Sequence, residues 1–148
     1  MIYLTFAYEF NAVHRLRNPG LGDRENLEIF GKCSHPSGHG HGYRVEVTVA
    51  GEVSKDDPSV LGESEIKALK AGVLDRKLAY SDLNEVFGDD FISSGENIAR
   101  KVAEMLVPEL DGKAGLVAVR IIETRKNSFL YCMETHDVEG GLHFHMTA

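Results

Sequence analysis

Tryptophan is absent from this 148-residue chain, cysteine occurs twice and proline four times. Two thiols, Cys33 and Cys132, lie too far apart and are too few to make a disulfide scaffold. No apolar run approaches the ~20 residues that a membrane-spanning helix needs. Lysine and arginine never cluster, and the formal net charge is −7. That excludes a phosphate-neutralising surface for sequence-independent nucleic-acid binding and disfavours anionic membranes. A small anionic substrate in a local basic pocket stays compatible with it. The opening MIYLTFAYEF has no basic n-region and contains Glu9, so it does not read as a secretory signal. A cytoplasmic protein with reduced thiols is expected.

What is present is ordinary in amount and uneven in placement. Hydrophobic residues make up 43% and charged residues 26%, as in soluble globular proteins. The length suits one domain, residues 1–148, whose core needs no disulfide or structural metal. No internal repeat, low-complexity tract or linker divides it.

Residues 2–14 read as a strand on which Phe6, Tyr8, Phe10, Ala12 and His14 share one face. Residues 17–34 carry the turn signals Asn18-Pro19-Gly20 and Gly22-Asp23, and read as a long excursion with a helical turn around 25–30. In 41–53, Tyr43, Val45, Val47 and Val49 alternate with Arg44, Glu46 and Thr48, the pattern of an antiparallel strand with one buried face. A helix is predicted over 63–74, followed by a polar, irregular 75–92. A second helix is predicted to open at Ser93-Ser94-Gly95-Glu96, with Ser93 and Glu96 as a capping box, and to close at Pro108. Residues 116–124 and 128–135 read as two further strands. The order places two helices between two hairpin-like halves. The expected class is α+β, with helices on one face of an antiparallel sheet.

The stretch GKCSHPSGHGHGY, residues 31–43, holds three of the seven histidines and one of the two cysteines. His39 and His41 are two apart, so on an extended segment both imidazoles project to one face. The flanking Gly38, Gly40 and Gly42 leave room for a close approach of ligand or backbone. His14, at the end of a strand expected to pair with this one, is the best third ligand. Three histidines with an open fourth position suit a catalytic zinc, and imidazole also suits iron, copper or nickel. An HxH pair alone is equally compatible with ordinary core or surface histidines. His39-x-His41-x4-Glu46 also matches part of a cupin-type pattern. Glu46, however, is five residues beyond His41 and faces the other side of a regular strand, and two helices fit a jelly roll poorly. Cys33 is either a structural thiol or, beside a dication, a thiolate able to act as a base. His35 reads as a loop residue, and His143 and His145 as part of a tail without a site role.

Taken together, Phe10-x-Ala12-x-His14-Arg15-Leu16, Glu25-Asn26-Leu27, Phe30-Gly31-Lys32-Cys33 and Gly38-His39-Gly40-His41-Gly42-Tyr43 resemble the 6-pyruvoyl-tetrahydropterin synthase family, which includes the 6-carboxy-tetrahydropterin synthases of queuosine synthesis. The similarity continues through Leu74-Asp75, Ser94-Gly95-Glu96-Asn97 and Ile122-Glu123-Thr124, to about residue 135. The resemblance implies a tunnelling fold (T-fold): a four-stranded antiparallel sheet with two helices on one face, assembled edge to edge into a barrel, often a hexamer of two trimers, with sites between subunits. It implies zinc on His14, His39 and His41, Cys33 as the proton-abstracting residue, and Glu123 as the pterin anchor. Glu96 would complete that pocket with the backbone of Ser94 and Gly95. A carboxylate suits a pterin because it accepts both adjacent N–H donors of the guanidine-like edge. The implied activity is a zinc-dependent lyase that eliminates triphosphate from 7,8-dihydroneopterin triphosphate. The alternatives are the carboxy branch and a pterin-binding homologue with little activity.

One departure stands out. Where the family pattern has Asp-His, with the histidine relaying protons, this chain has Asp75-Arg76. A guanidinium stays protonated and cannot shuttle protons near neutral pH. His35 or His136 in the relay, a reaction that needs no relay, and a binding role all remain open. Arg76 would also suit a triphosphate.

Overall fold

The computed structural model of the chain describes residues 1–110, 112, 114–138 and 141–145, with those from 134 onward described by backbone alone. Strand β1 (Ile2–His14) is followed by helix α1 (Asp23–Phe30) and a 3-10 turn at Gly31–Ser34. Strand β2 (His39–Gly51) comes next, then helices α2 (Glu63–Leu69), α3 (Arg76–Leu78), α4 (Leu83–Phe87) and α5 (Gly95–Leu106). Strands β3 (Gly115–Ile122), β4 (Ser128–Cys132), β5 (Glu134–Val138) and β6 (Gly141–His145) complete the order. β1 to β4 form one antiparallel sheet in the order β1-β2-β3-β4, and β5 and β6 form a separate two-stranded sheet.

The alternation in the sequence decides which face the sheet buries. Phe6, Phe10, Ala12 and His14 on β1 and Tyr43, Val45, Val47 and Val49 on β2 are all buried. They meet α5, whose Ile98, Ala99, Val102, Ala103 and Leu106 recur at helical spacing and are fully covered. Leu69, Val73 and Leu74 close the same core from α2 and the turn after it. The other sheet face carries a ladder of charge across three strands. Arg44 donates to Glu9 at 3.0 Å and to Glu46 at 3.2 Å, and Arg120 approaches Glu46 at 4.0 Å. Glu46 therefore points away from His41, as strand parity requires, and takes no part in a cupin-like site.

Four expectations need correction. The helix expected over 63–74 is α-helical only to Leu69 and then winds as a wider π-helical turn over Lys70–Asp75. The irregular 75–92 contains α3 and α4. The cap of α5 is Ser94, whose hydroxyl accepts from the Asn97 N–H at 3.4 Å. Ser93 lies one residue outside the helix because its hydroxyl donates to the Arg15 carbonyl at 3.0 Å and it is wholly buried. Finally, the strand expected over 128–135 ends at Cys132. There Met133 turns inward and donates its N–H to Val117 at 2.9 Å, and the tail returns as the β5–β6 hairpin.

The excursion after β1 is held by one residue. Asn26, 2% exposed, accepts from the Asn18 N–H and donates to the carbonyls of Asn18, Leu21 and Gly22. A buried amide fully used in this way organises a loop that has few apolar contacts of its own. Among the described residues, no helix is long and apolar enough to cross a membrane.

Candidate metal centre

Antiparallel pairing of β1 and β2 runs without interruption from Ile2 opposite Gly51 to His14 opposite His39, with Ala12 opposite His41. That register brings the last residue of β1 beside the first and third residues of β2, all on the core-facing side. His14, His39 and His41 each offer one ring nitrogen, and the three nitrogens lie within 4.8 Å of one another. His14 Nε2 and His39 Nε2 are 3.1 Å apart. Glu123 joins them from the end of β3: its Oε1 is 3.5 Å from His14 Nε2 and 3.7 Å from His41 Nε2. The β3–β4 turn fixes that carboxylate, since the Glu123 N–H donates to the Asn127 carbonyl at 3.3 Å.

Behind the histidines lies a polar support that the sequence did not signal. His14 Nδ1 is 2.9 Å from the Ser93 carbonyl, an acceptor only, so Nδ1 carries the proton and Nε2 presents its lone pair to the cluster. Ser93 is held in turn through Arg15, whose carbonyl accepts from the Ser93 hydroxyl. Asn84 clamps the same residue from both sides: its Oδ1 accepts from the Arg15 N–H at 2.7 Å and its Nδ2 donates to the Arg15 carbonyl at 3.1 Å. A serine seventy-nine positions from its histidine leaves no local mark in a sequence.

The donor set fits a dication. Burial is the main cause that pushes His14 down to about 4, and it also lowers His39, with the charges of His41 and Lys32 adding to the latter shift. Both rings are therefore neutral donors at neutral pH, the form that binds metal. His39 Nδ1 and the Tyr43 hydroxyl are buried without a hydrogen-bond partner among the described residues. Tyr43 packs edge-on to His41 at 5.6 Å between ring centroids, and burial together with the Glu123 carboxylate pushes its phenol up. Such orphaned polar atoms around convergent nitrogens belong to a site shaped for something polar.

The remaining candidates are distributed around this centre. Cys33 is half-buried on the 3-10 turn, and its carbonyl accepts from the Leu16 N–H at 2.9 Å, which ties the turn to the end of β1. Gly38 lets the chain pass: its φ is +64°, and a Cβ there would come 3.0 Å from the His14 carbonyl oxygen. Asp75 is exposed and accepts from the Tyr8 hydroxyl at 2.7 Å. Arg76 is exposed at the start of α3, and Glu96 is exposed on the first turn of α5. Gly95 is buried against Phe129, whose ring a Cβ would meet at 2.1 Å, so its lack of a side chain serves packing of α5 on β4. His35 is spent locally, its Nδ1 accepting from the Ser37 N–H at 3.2 Å. The side chains of His136, His143 and His145 lie outside the described residues.

Comparison with known proteins identifies the family of the chain. A family model described as 6-pyruvoyl tetrahydropterin synthase matches residues 3–134. The 6-pyruvoyl tetrahydrobiopterin synthase of Drosophila melanogaster is 38% identical over 132 residues, covering 87% of this chain and 78% of that protein. The Homo sapiens protein of the same name is 35% identical over 124 residues, covering 82% and 85%. The solved structure of Caenorhabditis elegans 6-pyruvoyl tetrahydropterin synthase superposes with a TM-score of 0.83 at 33% identity, covering 90% of this chain and 96% of that one. With its matched residues spanning all four strands of the main sheet and every member of the histidine cluster, the chain belongs to the 6-pyruvoyl tetrahydropterin synthase family.

Proposed function

We propose that the chain is a zinc-dependent lyase that converts 7,8-dihydroneopterin triphosphate to 6-pyruvoyl-tetrahydropterin with loss of triphosphate. The observation that carries this reading is the convergence of His14, His39, His41 and Glu123 inside the region matched by the family. His14, His39 and His41 hold the zinc, which when bound acts as a Lewis acid toward the side-chain oxygens of the substrate. Cys33 takes a proton from the substrate side chain. Glu123 accepts the paired N–H donors of the pterin edge, as a carboxylate does for any guanidine-like group. Ser94, Gly95 and Glu96 border the pterin. Asp75 belongs to the proton-handling group, and Arg76, always cationic, serves the triphosphate.

The working protein is a cytoplasmic homo-oligomer, a barrel built from the edges of the β1–β4 sheet and stacked as a hexamer. β4 and β1 ahead of Asn11 are sheet edges, and an unpaired edge is a template for pairing with another chain. The test is product analysis by mass spectrometry after the zinc-loaded protein is incubated with 7,8-dihydroneopterin triphosphate. A 6-pyruvoyl product is expected. A 6-carboxy product with acetaldehyde would move the chain to the other branch, and binding without product would make it a pterin-binding homologue.

A further inference from the structure

Tyr80 combines two unfavourable features. It is the only non-glycine among the described residues with a positive φ, +57°, a conformation that a bulky side chain adopts rarely and that marks functional strain when the surroundings impose it. It is also 87% exposed, so its ring gains almost no burial in return. The surroundings do impose it. The Tyr80 N–H donates to the Asn11 carbonyl at 2.6 Å, the Val13 N–H donates to the Ser81 carbonyl at 2.9 Å, and Asp82 pairs with Val13. Three residues are thus stitched to the edge of β1 at its histidine-bearing end.

The position of the ring gives the strain a purpose. Tyr80 stands on the wall between two adjoining clefts. One, of about 530 Å³, is lined by His41 with Gly40 and Gly42 beside it. The other, of about 430 Å³, contains Tyr8, Asp75 and Arg44. Behind Tyr80 the Tyr8 hydroxyl donates to Asp75 at 2.7 Å, and burial with that bond pushes Tyr8 up to about 12. This pair forms a fixed, polar back wall. An exposed phenol in front of it, on a cleft that reaches one of the three clustered histidines, His41, has a flat face for a heteroaromatic ring and a hydroxyl for a polyol side chain. Arg76, by contrast, cannot exchange a proton.

We propose that Tyr80 is a substrate-contacting residue, which closes the His41 cleft over the pterin substrate and hydrogen-bonds its side-chain oxygens, with the Tyr8–Asp75 pair as its positioning wall. The inference rests on the pterin reading above and adds the residue that fixes the substrate's orientation. The experiment compares the zinc-loaded full-length wild type, Tyr80→Phe and Tyr80→Gly for pterin affinity by fluorescence titration, for kcat and KM, and for thermal stability. Loss of one hydrogen bond in Tyr80→Phe lowers kcat/KM roughly tenfold. Tyr80→Gly lowers it further, yet raises Tm by about 2 °C or more because glycine adopts the left-handed backbone freely. Lower activity with higher stability is the signature of a strained functional residue, and zinc content stays at the wild-type level in both variants. Unchanged affinity and kcat/KM in both variants overturn the inference. A wild type that binds no pterin fails the parent reading and this one together, whereas a wild type that binds pterin while the variants match it fails this one alone.

Discussion

On the helix-facing side of β1 and β2, Phe6, Val47 and Val49 sit at one end and His14, His39 and His41 at the other. Both ends belong to the same two strands, in one unbroken register, on one face. At the first end α5 and α2 cover apolar side chains, and stability comes from surface removed from water. At the second end the covering groups are polar: the Ser93 carbonyl, the Glu123 carboxylate and the Asn84–Arg15 clamp. His14 is as buried as the core, at 3% exposure, but its burial lowers its affinity for protons instead of filling a hydrophobic contact. One strand pair therefore carries both a packed apolar core and a cluster of donors able to hold a metal. What separates the two ends is which side chains the strands themselves place there and which groups the neighbouring loops and helix termini bring to cover them.

Substitutions can break that division or sharpen it. His39→Ala should have the largest effect: removal of a ligand abolishes zinc binding and turnover together, measured by metal analysis and product assay. Full zinc occupancy in this variant would end the ligand assignment. Cys33→Ala should lower kcat by ~10²–10⁴-fold, the usual range for a lost proton-transfer group, with zinc retained. Loss of zinc there would instead make the thiol a ligand.

The histidine end should also be sensitive to pH in the metal-free protein. Folded His14 takes its proton only near pH 4, whereas the unfolded chain takes it near 6.5. Between those values the unfolded state binds more protons, so stability is complete above pH 6.5 and falls as the pH drops toward 4. The loss is ~3 kcal/mol, and His14→Asn should flatten the slope of Tm against pH in that window. An identical slope would place the titration elsewhere.

The smallest effects draw the boundary most finely. Val47→Ala should cost roughly 2 kcal/mol in denaturant unfolding and leave zinc affinity unchanged. Asn84→Ala should do the reverse, weakening zinc by ~10–100-fold, as loss of an outer support does, with a smaller change in stability. Equal effects of both variants on zinc would mean that the two ends are one mechanical unit.

Much of this is legible in the sequence. Parity alone assigned Phe6, Phe10, Val45 and Val47 to the core and aligned His39 with His41, because successive strand residues alternate faces. The α+β order follows from the periodicities, whereas His14 is set beside the HxH segment on the expectation that the two strands pair, which they do. What failed failed for a reason. Ser93 carries the right residue type for a helix cap, but a distant carbonyl on Arg15 competes for its hydroxyl, and the cap passes to Ser94. The tail beyond residue 135 reads as no element in the sequence, and its pairing into the β5–β6 hairpin is visible only in the fold.

The sequence by itself determined which residues alternate, where turns interrupt them and that three imidazoles and a thiol belong to two neighbouring segments. Those are local properties, written in spacings of two and of three to four residues. Only the tertiary structure decided that Glu123 meets the histidines, that Ser93 and Asn84 orient His14, and that Tyr80 is held in a strained turn beside His41. Each of these joins positions dozens of residues apart, and no periodicity encodes a contact between elements that meet only when the sheet and its helices close on a common core.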